Sequence, residues 1–164
     1  MDPFEREVVN LLPRLRRFAR ALAGQMADAD DLVQLTVERA LGRRSQWVAG
    51  SRLDSWMMRI MKNAWIDEAR SRGRKRLVAG EADFVEGVAD PSVASADLRV
   101  EAMAIRQAMS NLPGEQRVAV ALVLVEGLSY AEAAELLEIP AGTLTSRLVR
   151  GRMALMAELS GVEA

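Results

Sequence analysis

Residues 127–156 read GLSYAEAAELLEIPAGTLTSRLVRGRMALM, and the pattern of this segment predicts how the second half of the chain folds. Ser129 and Glu132 have the Ser-x-x-Glu spacing of a capping box, which marks the start of a helix. Pro140 suits the first turn of a second helix, because its missing N–H would have no partner there in any case. The small side chains of Ala133 and Ala134 allow the two helices to cross closely. The pattern predicts two helices joined by a tight turn.

The second of these helices, beginning near Ala141, has two different faces when each residue advances by 100°. One face is apolar and should pack on the rest of its module: Leu144, Leu148, Gly151 and Leu155. The opposite face is polar: Thr143, Ser146, Arg147 and Arg150. Hydroxyl and guanidinium groups suit contacts to phosphates and base edges, so the pair is typical of a helix-turn-helix whose second helix enters the major groove. An ordinary amphipathic hairpin with a solvated polar face remains the alternative.

Positive charge is concentrated in one region of a chain whose formal net charge is −1. Residues 41–77 carry ten basic and three acidic side chains, whereas residues 78–105 carry one basic and six acidic. The helix predicted at 52–71 turns an apolar face towards the core, formed by Leu53, Trp56, Met57, Ile60 and Ala64, with Asp67 placed to pair with an arginine. Arg59, Lys62 and Asn63 lie on the other side, followed by Arg72, Arg74, Lys75 and Arg76. This surface favours a polyanion as partner, although a solvated basic face is the usual explanation of a charge run.

The loop before this helix contains one aromatic residue and several small ones. Trp47 is followed by Val48 and Ala49 and then by Gly50 and Ser51. An exposed indole beside cations is suited to stacking on an unpaired base. Packing of Trp47 in the core is the equally weighted alternative.

Composition excludes several kinds of chemistry. Cysteine and histidine are absent, and no glycine-rich phosphate-binding loop is present, so we expect no enzyme activity, no cofactor and no metal site. The longest apolar run, residues 118–125, is far shorter than the ~20 residues that span a bilayer. The acidic and mixed residues 1–10 do not resemble a signal peptide. We therefore expect a cytoplasmic protein without direct membrane insertion.

The periodicity predicts an all-α protein of two small helical domains joined by a flexible linker, the C-terminal domain being a helix-turn-helix. The first domain is assigned to residues 1–76, an acidic linker to 77–97 and the second domain to 98–164. Predicted helices cover 8–22, ended by Gly24, then a segment capped by Asp28 and closing near Gly42, and 52–71, stopped by Gly73. Further helices are predicted at 98–111, 115–126 and, as above, near the end.

Three motifs in this order resemble those of bacterial sigma factors of the short extracytoplasmic-function type, within the sigma-70 family. DADDLVQLTVERAL, from residue 28, resembles the family's D-A-x-D-L-V-Q-x-x-x-x-x-A helix. SWMMRIMKNAWIDEARSRGR, from residue 55, resembles W-L-x-x-I-x-x-N-x-x-I-D-x-x-R-x-x-x-R. The segment from LPGEQR at residue 112 to RLVRGR at residue 152 resembles the family's L-P-x-x-x-R, E-G-x-S-Y-x-E-I-A and I-P-x-G-T-V-K-S-R-L-x-R-x-R pattern.

The resemblance implies a protein that binds core RNA polymerase, directs it to specific promoters and helps to open the minus-ten region, without catalysis of its own. It implies stress-responsive control by an anti-sigma factor, with the polymerase beta-prime clamp helices and beta flap and promoter DNA as partners. The implied polymerase-binding residues are Asp31, Gln34, Leu35 and Glu38. The implied minus-ten residues are Trp47, Gly50, Ser51, Arg59, Lys62 and Asn63, and the implied minus-thirty-five residues are Thr143, Ser146, Arg147 and Arg150.

Two positions depart from the family pattern. Leu35 stands where glutamate is usual, and we expect it to expose an apolar side chain near the docking surface. Thr145 stands where lysine is frequent, away from the proposed reading face. Two other functions are the alternatives: a stand-alone helix-turn-helix regulator, which would not need the first module, and a sigma-like decoy that binds an anti-sigma factor and no DNA. The lack of histidine, cysteine and nucleotide-binding loops argues against an enzyme.

Overall fold

The computed structural model describes residues 1–79 and 96–162, which form helices and connecting turns with no strand among them. The helices are α1 (Pro3–Ala23), α2 (Met26–Gly42), α3 (Leu53–Ala79), α4 (Ala96–Ser110), α5 (Gly114–Val120), α6 (Tyr130–Leu137) and α7 (Ala141–Val162). A 3₁₀ turn (Arg44–Gln46) follows α2, and a π-helical turn (Ala121–Val125) follows α5. The prediction of an all-α fold with two helical domains is confirmed.

Helices α1, α2 and α3 pack together as the first module. Asp2 caps α1, since its Oδ1 accepts a hydrogen bond from the Glu5 N–H at 2.9 Å. Gly24 ends the helix at a φ of +77°, a conformation that side chains with a Cβ disfavour. The centre of the module is formed by fully buried side chains from all three helices: Leu15, Phe18, Leu22, Leu32, Met57, Met58 and Met61.

Helices α4 to α7 form the second module, and its helix-turn-helix follows the sequence pattern closely. The Ser129 Oγ accepts from the Glu132 N–H at 3.1 Å, and the Ser129 N–H donates to Glu132 Oε1 at 3.0 Å. The turn before α7 passes through Glu138, whose φ is +55°. In α7, Leu144 and Leu148 are buried as predicted. Gly151 lies against α5, where a Cβ would stand 2.8 Å from Val120 Cγ2.

Two predicted helix-end signals were wrong, and α1 begins at Pro3 rather than at residue 8. Gly73 does not stop α3, which continues to Ala79, because a single internal glycine costs only about 1 kcal/mol relative to alanine. Asp28 does not cap α2; the helix begins at Met26 after Gln25. Asp28 instead lies in the first turn, where a carboxylate is favourable, and pairs with Arg72 at 3.3 Å. The side chains of Arg74, Lys75 and Arg76 and the body of the predicted linker lie outside the described residues.

The two modules contact each other across a broad surface. Helix α1 packs against α4, α5 and the π turn, and α3 packs against α6. Buried residues of both modules belong to one continuous apolar cluster. Within residues 1–79 and 96–162, no helix combines the length and the hydropathy that crossing a membrane requires. The contact between the modules decides which face of α3 lies against α6.

Candidate nucleic-acid interface

The polar face of α7 is formed as the sequence predicts, with unequal exposure along it. Ser146 and Arg150 are exposed, whereas Thr143 and Arg147 are half-buried. Arg147 Nη2 lies 3.7 Å from Glu115 Oε1. Thr145 points away from this face and donates from its Oγ1 to the Ala141 carbonyl at 2.9 Å. The Ser146 hydroxyl and the Arg150 guanidinium are therefore open to solvent, and the less exposed Thr143 and Arg147 lie beside them.

The polar face of α3 is not open along its whole length. Arg59 Nη2 donates to the backbone carbonyl of Glu135 at 3.2 Å, and Arg59 Nη1 lies 3.7 Å from Glu138 Oε1. Both partners belong to the end of α6 and the turn after it. Burial lowers the pKa of Lys62, with the Glu138 carboxylate opposing and Arg59 reinforcing that shift. Asn63 is exposed. The helix-turn-helix module thus covers part of the predicted minus-ten surface.

A groove of about 460 Å³ lies between the modules beside these residues. Its walls are lined by Lys62, Trp65, Ile66 and Arg70 from α3, and by Gly114, Val118, Leu137 and Arg147 from the second module. Arg117 stacks over the Trp65 ring at 5.2 Å from the centroid. Lys62 and Arg147, predicted to contact two different DNA elements, line the same groove.

The loop that leads into α3 is exposed except at its aromatic residue. The Trp47 ring packs on Phe4 with 5.4 Å between centroids, and its buried Nε1 has no hydrogen-bond partner. This placement favours the core alternative for Trp47. Gly50 has a φ of +90°, which suits glycine, and Ser51 donates to the Val48 carbonyl at 2.5 Å. Gly50 and Ser51 are both exposed.

The predicted polymerase-binding residues lie along α2. Asp31, Gln34 and Glu38 are exposed, and Gln34 Nε2 is 3.5 Å from Glu38 Oε1. Leu35 departs from the prediction: it is half-buried and packs on the core, because it extends the apolar stripe of α2 that begins at Leu32. An open depression beside these residues is floored by Val33 and Val37 and rimmed by charged side chains of α1 and α2.

Sequence reasoning missed a group of charged residues that join the two modules. Arg17 Nε lies 2.6 Å from Glu126 Oε2, and Arg14 Nε lies 3.7 Å from Glu126 Oε1. Arg14 also bonds Asp54 Oδ2 at 2.9 Å, and Arg52 pairs with both Asp54 and Glu132. The capping box and the E-G-x-S-Y-x-E pattern include Glu126 and Glu132, but no motif links them to their arginine partners, which lie far away in the sequence. The basic character of residues 41–77 was a signal for Arg52, but not for Arg14 and Arg17, which lie outside that segment.

Asp54 and Arg117 have pKa values displaced by these surroundings. Burial raises the pKa of Asp54, but hydrogen bonds from Arg52, the Ser55 N–H and Arg14 outweigh it and lower the pKa to about 2. Burial lowers the pKa of Arg117. Its guanidinium donates to the Leu22 carbonyl of the first module at 2.9 Å and to the Ser110 and Leu112 carbonyls at 2.7 and 2.9 Å.

Among the described residues, no three acidic side chains lie close enough together to hold a metal ion.

Two known family models match this chain, one in each helical module. The family model described as the Sigma2 domain of PhyR matches residues 8–62. The family model described as Sigma-70, region 4, matches residues 102–155. The two matches cover α1 to the first half of α3, and α4 to most of α7, respectively.

Whole-chain relatives carry both modules in the same order. The chain is 34% identical over 158 residues to the ECF RNA polymerase sigma factor EcfG of Rhodopseudomonas palustris, covering 96% of this chain and 86% of that one. It is 35% identical over 149 residues to the ECF RNA polymerase sigma factor SigM of Mycobacterium tuberculosis, covering 90% and 72%. The sigma factor RpoE of Bartonella quintana, solved in complex with the anti-sigma factor NepR, matches with a TM-score of 0.85 at 30% identity over 98% of both chains. With both modules, their order and their packing shared along the full length, the chain belongs to the family of ECF RNA polymerase sigma factors.

Proposed function

We propose that the chain binds core RNA polymerase, places it on specific promoters and helps to open the DNA at the minus-ten element. The observation that carries this proposal is the pair of sigma modules in one chain, the first with exposed polar side chains on α2 and the second with exposed polar side chains on α7. We assign residues 1–76 to the first module and 98–164 to the second. The sigma factor identity makes the chain a transcription regulator, with its chemistry supplied by the polymerase.

The α2 face would dock on the clamp helices of the beta-prime subunit. Asp31, Gln34 and Glu38 offer two carboxylates and an amide in a row, which suit basic and polar partners. The second module would contact the beta flap through an apolar surface. Met103, Ile105, Met153 and Met156 are all about half exposed or more, and uncovered apolar patches commonly mark protein-binding surfaces.

The loop containing Gly50 and Ser51, together with Arg59, Lys62 and Asn63, would hold the opened minus-ten strand. Extruding a base costs a few kcal/mol, and a pocket that captures the base offsets this cost. Arg59 and Lys62 would neutralise the backbone, while the loop would accept a base. Trp47 would support this loop from the core side rather than stack on DNA, given its contact with Phe4.

The polar face of α7 would read the minus-thirty-five element as duplex DNA. Arg147 and Arg150 have the guanidinium geometry that pairs with guanine edges or with phosphates, and Thr143 and Ser146 add hydroxyl groups near the start of the helix. A chain of net charge −1 should bind DNA weakly alone, because affinity grows with the number of phosphates that the protein neutralises. Attachment of both modules to polymerase would raise their effective concentration at the promoter.

Control by an anti-sigma factor forms part of the proposal. The support is the similarity to RpoE over the full chain, since that sigma factor was solved with the anti-sigma factor NepR. A comparable inhibitor would compete with polymerase for the modules.

Reconstitution with core polymerase tests the proposed function. The purified chain is added to core enzyme on a genomic library, and new start sites are mapped; we expect a small set of starts that share two upstream elements. A stand-alone regulator would instead retard promoter fragments tightly without polymerase. A decoy would bind an anti-sigma factor and direct no transcription. Either result would contradict the proposal.

A further inference from the structure

The segment that joins α2 to α3 contains a tight turn stabilised by bonds among its own residues. The Ser51 N–H donates to the Val48 carbonyl at 3.1 Å, and Gly50, with a φ of +90°, suits the third position of a type II turn. We call these four residues, 48–51, the 48–51 turn. Its internal bonds fix the shape of the turn, but they do not fix its direction relative to the helices.

Arg44, four residues before the 48–51 turn, contacts the first turn of α1. Its Nη1 lies 2.5 Å from Asp2 Oδ2, and its guanidinium carbon lies 4.9 Å from the centroid of the Phe4 ring. Asp2 is itself fixed in place, because its Oδ1 accepts the capping hydrogen bond from the Glu5 N–H. The Glu5 N–H and then Arg44 lower the pKa of Asp2, so the carboxylate is charged at neutral pH. The chain is therefore attached to α1 shortly before it enters the turn.

Trp47, directly before the 48–51 turn, is oriented by ring packing rather than by hydrogen bonding. Its ring centroid lies 5.4 Å from that of Phe4 at an interplanar angle of 51°, and its buried Nε1 has no hydrogen-bond partner. Phe4 is only 5% exposed, and it also meets Trp56 of α3 edge-on, with 6.4 Å between centroids. Phe4 thus connects α1 and α3 to the residue from which the turn begins.

The 48–51 turn projects into solvent from this attachment. All four of its residues are exposed, Val48 to 70%. The two side chains that attach it lie on its entry side, and both contact Phe4. A site that captures an extruded base must be held within about 0.5 Å of its working geometry. The direction in which the turn presents itself to DNA therefore depends on the first turn of α1.

We propose that the first turn of α1 positions the 48–51 turn for capture of an extruded base of the minus-ten element. Asp2 is a positioning residue that acts through Arg44. Phe4 is a second positioning residue, and it acts through Trp47. This role rests on the proposed function, because it takes the turn as the element that holds the base. The attachment of the turn to α1 is a matter of geometry alone and can be measured without DNA.

A spin label on the turn measures the attachment in the free full chain. The chain has no cysteine, so Ala49→Cys, at an exposed position, gives a single labelling site. Asp2→Asn removes the charge that Arg44 meets but keeps the helix cap, since asparagine caps as well as aspartate does. Phe4→Leu removes the aromatic contacts and keeps an apolar side chain. We expect each substitution to raise the mobile fraction of the label about twofold or more, the scale set by one aromatic or exposed ionic contact.

Charge-matched variants separate attachment from a general loss of positive charge. Arg44→Gln should raise the mobile fraction as Asp2→Asn does, whereas Arg44→Lys, which keeps the charge, should not. Arg43→Gln removes an exposed cation from the neighbouring position and should leave the label unchanged. Urea unfolding identifies the variants that remain folded. Exposed ion pairs contribute little to stability, so Arg44→Gln and Asp2→Asn stay decisive if Phe4→Leu does not fold.

Transcription by reconstituted polymerase on promoters randomised at the minus-ten element measures the consequence for DNA. With Asp2→Asn, Arg44→Gln and Phe4→Leu, we expect the preference for the favoured base to fall about threefold at one or more positions. Arg43→Gln should lower the yield on all promoters alike, because it removes charge without releasing the turn. A merely structural role of the α1 residues would change the yield but not the base preference.

The outcomes separate the attachment, the positioning role and the proposed function. An unchanged label spectrum in folded Asp2→Asn and Arg44→Gln overturns the attachment. A more mobile turn with an unchanged base preference overturns the positioning role. If the unsubstituted chain directs no transcription with core polymerase, the proposed function and the positioning role both fail, while the label spectra still decide the attachment.

Discussion

The Nε atom of Arg17 in α1 lies 2.6 Å from Oε2 of Glu126, and this pair connects the two modules through residues that are 109 positions apart in sequence. The π turn before Glu126 creates the geometry, because the Glu126 N–H bonds to the Ala121 carbonyl five residues earlier at 2.9 Å. Such a turn is wider than α-helix and shifts the side chains that follow it. The carboxylate consequently enters the contact with α1 instead of facing solvent.

Replacement of Arg147 and Arg150 by alanine should reduce transcription from promoters that depend on the upstream element. Each arginine that pairs with a base contributes about 1–3 kcal/mol of discrimination, so a loss of at least tenfold is expected. Run-off transcription on promoters with and without the element measures this. Arg152→Ala, exposed on another side of α7, is the control. Unchanged promoter choice in the double variant would contradict the assignment.

Replacement of Asp31 and Gln34 by alanine should weaken binding to core polymerase while helix content stays the same. Both side chains are exposed on α2, so the change removes surface contacts without disturbing the core. Co-purification with core enzyme and circular dichroism provide the two measurements. Glu7→Ala, exposed on α1, should bind normally. Equal recovery of core enzyme with the double variant and the control would refute this docking surface.

Replacement of Arg59 and Lys62 by alanine should impair strand opening, seen as reduced permanganate reactivity of promoter thymines. Lys62→Ala alone is the cleaner test, because Arg59 also donates to the Glu135 carbonyl of α6 and its loss would remove a contact between the two modules. Arg6→Ala, an exposed cation of α1, serves as control. Full reactivity with the double variant would exclude these cations from opening.

Gly151→Ala should destabilise the second module, since its Cβ would stand 2.8 Å from Val120 Cγ2 in a packed core. We expect a loss of about 1–3 kcal/mol in the free energy of unfolding. Gly142→Ala is a matched change in the same helix with nothing within 4 Å, and should be neutral or stabilising by up to about 1 kcal/mol. Urea unfolding compares them. Equal effects of the two substitutions would show that α7 does not approach α5 this closely.

Asp54→Asn should destabilise the chain near neutral pH by about 1 kcal/mol, allowing for solvent screening. Because the folded pKa of Asp54 is lowered from 3.8 to about 2, its stabilisation is complete above pH 4 and is lost as the pH falls through 2. The difference in unfolding free energy between the variant and the unsubstituted chain should therefore shrink over this interval. The exposed Glu101→Gln should stay within about 0.5 kcal/mol of the unsubstituted chain at neutral pH. A difference that persists at pH 2 would show that packing, rather than charge, is responsible.

Local patterns were sufficient for most of the secondary structure. The capping box at Ser129, the start of α7 near Ala141 and the buried stripe with Leu144 and Leu148 depend on neighbours within a few residues, and all three are confirmed. The pairing of Asp67 with an arginine is also confirmed, with Arg39 at 3.6 Å. The errors at Asp28 and Gly73 arose where helix propensity competed with a local start signal and a local stop signal, respectively.

The family, the helical modules and the polar faces of α3 and α7 follow from the amino-acid sequence alone, because each depends on periodicity or on a motif along one segment. The packing of helices in three dimensions was needed to show that Leu35 packs inward, that Trp47 lies on Phe4, and that Arg17 contacts Glu126. These contacts depend on how separate helices approach one another in space, and residues on different helices carry no mutual spacing signal in a single sequence.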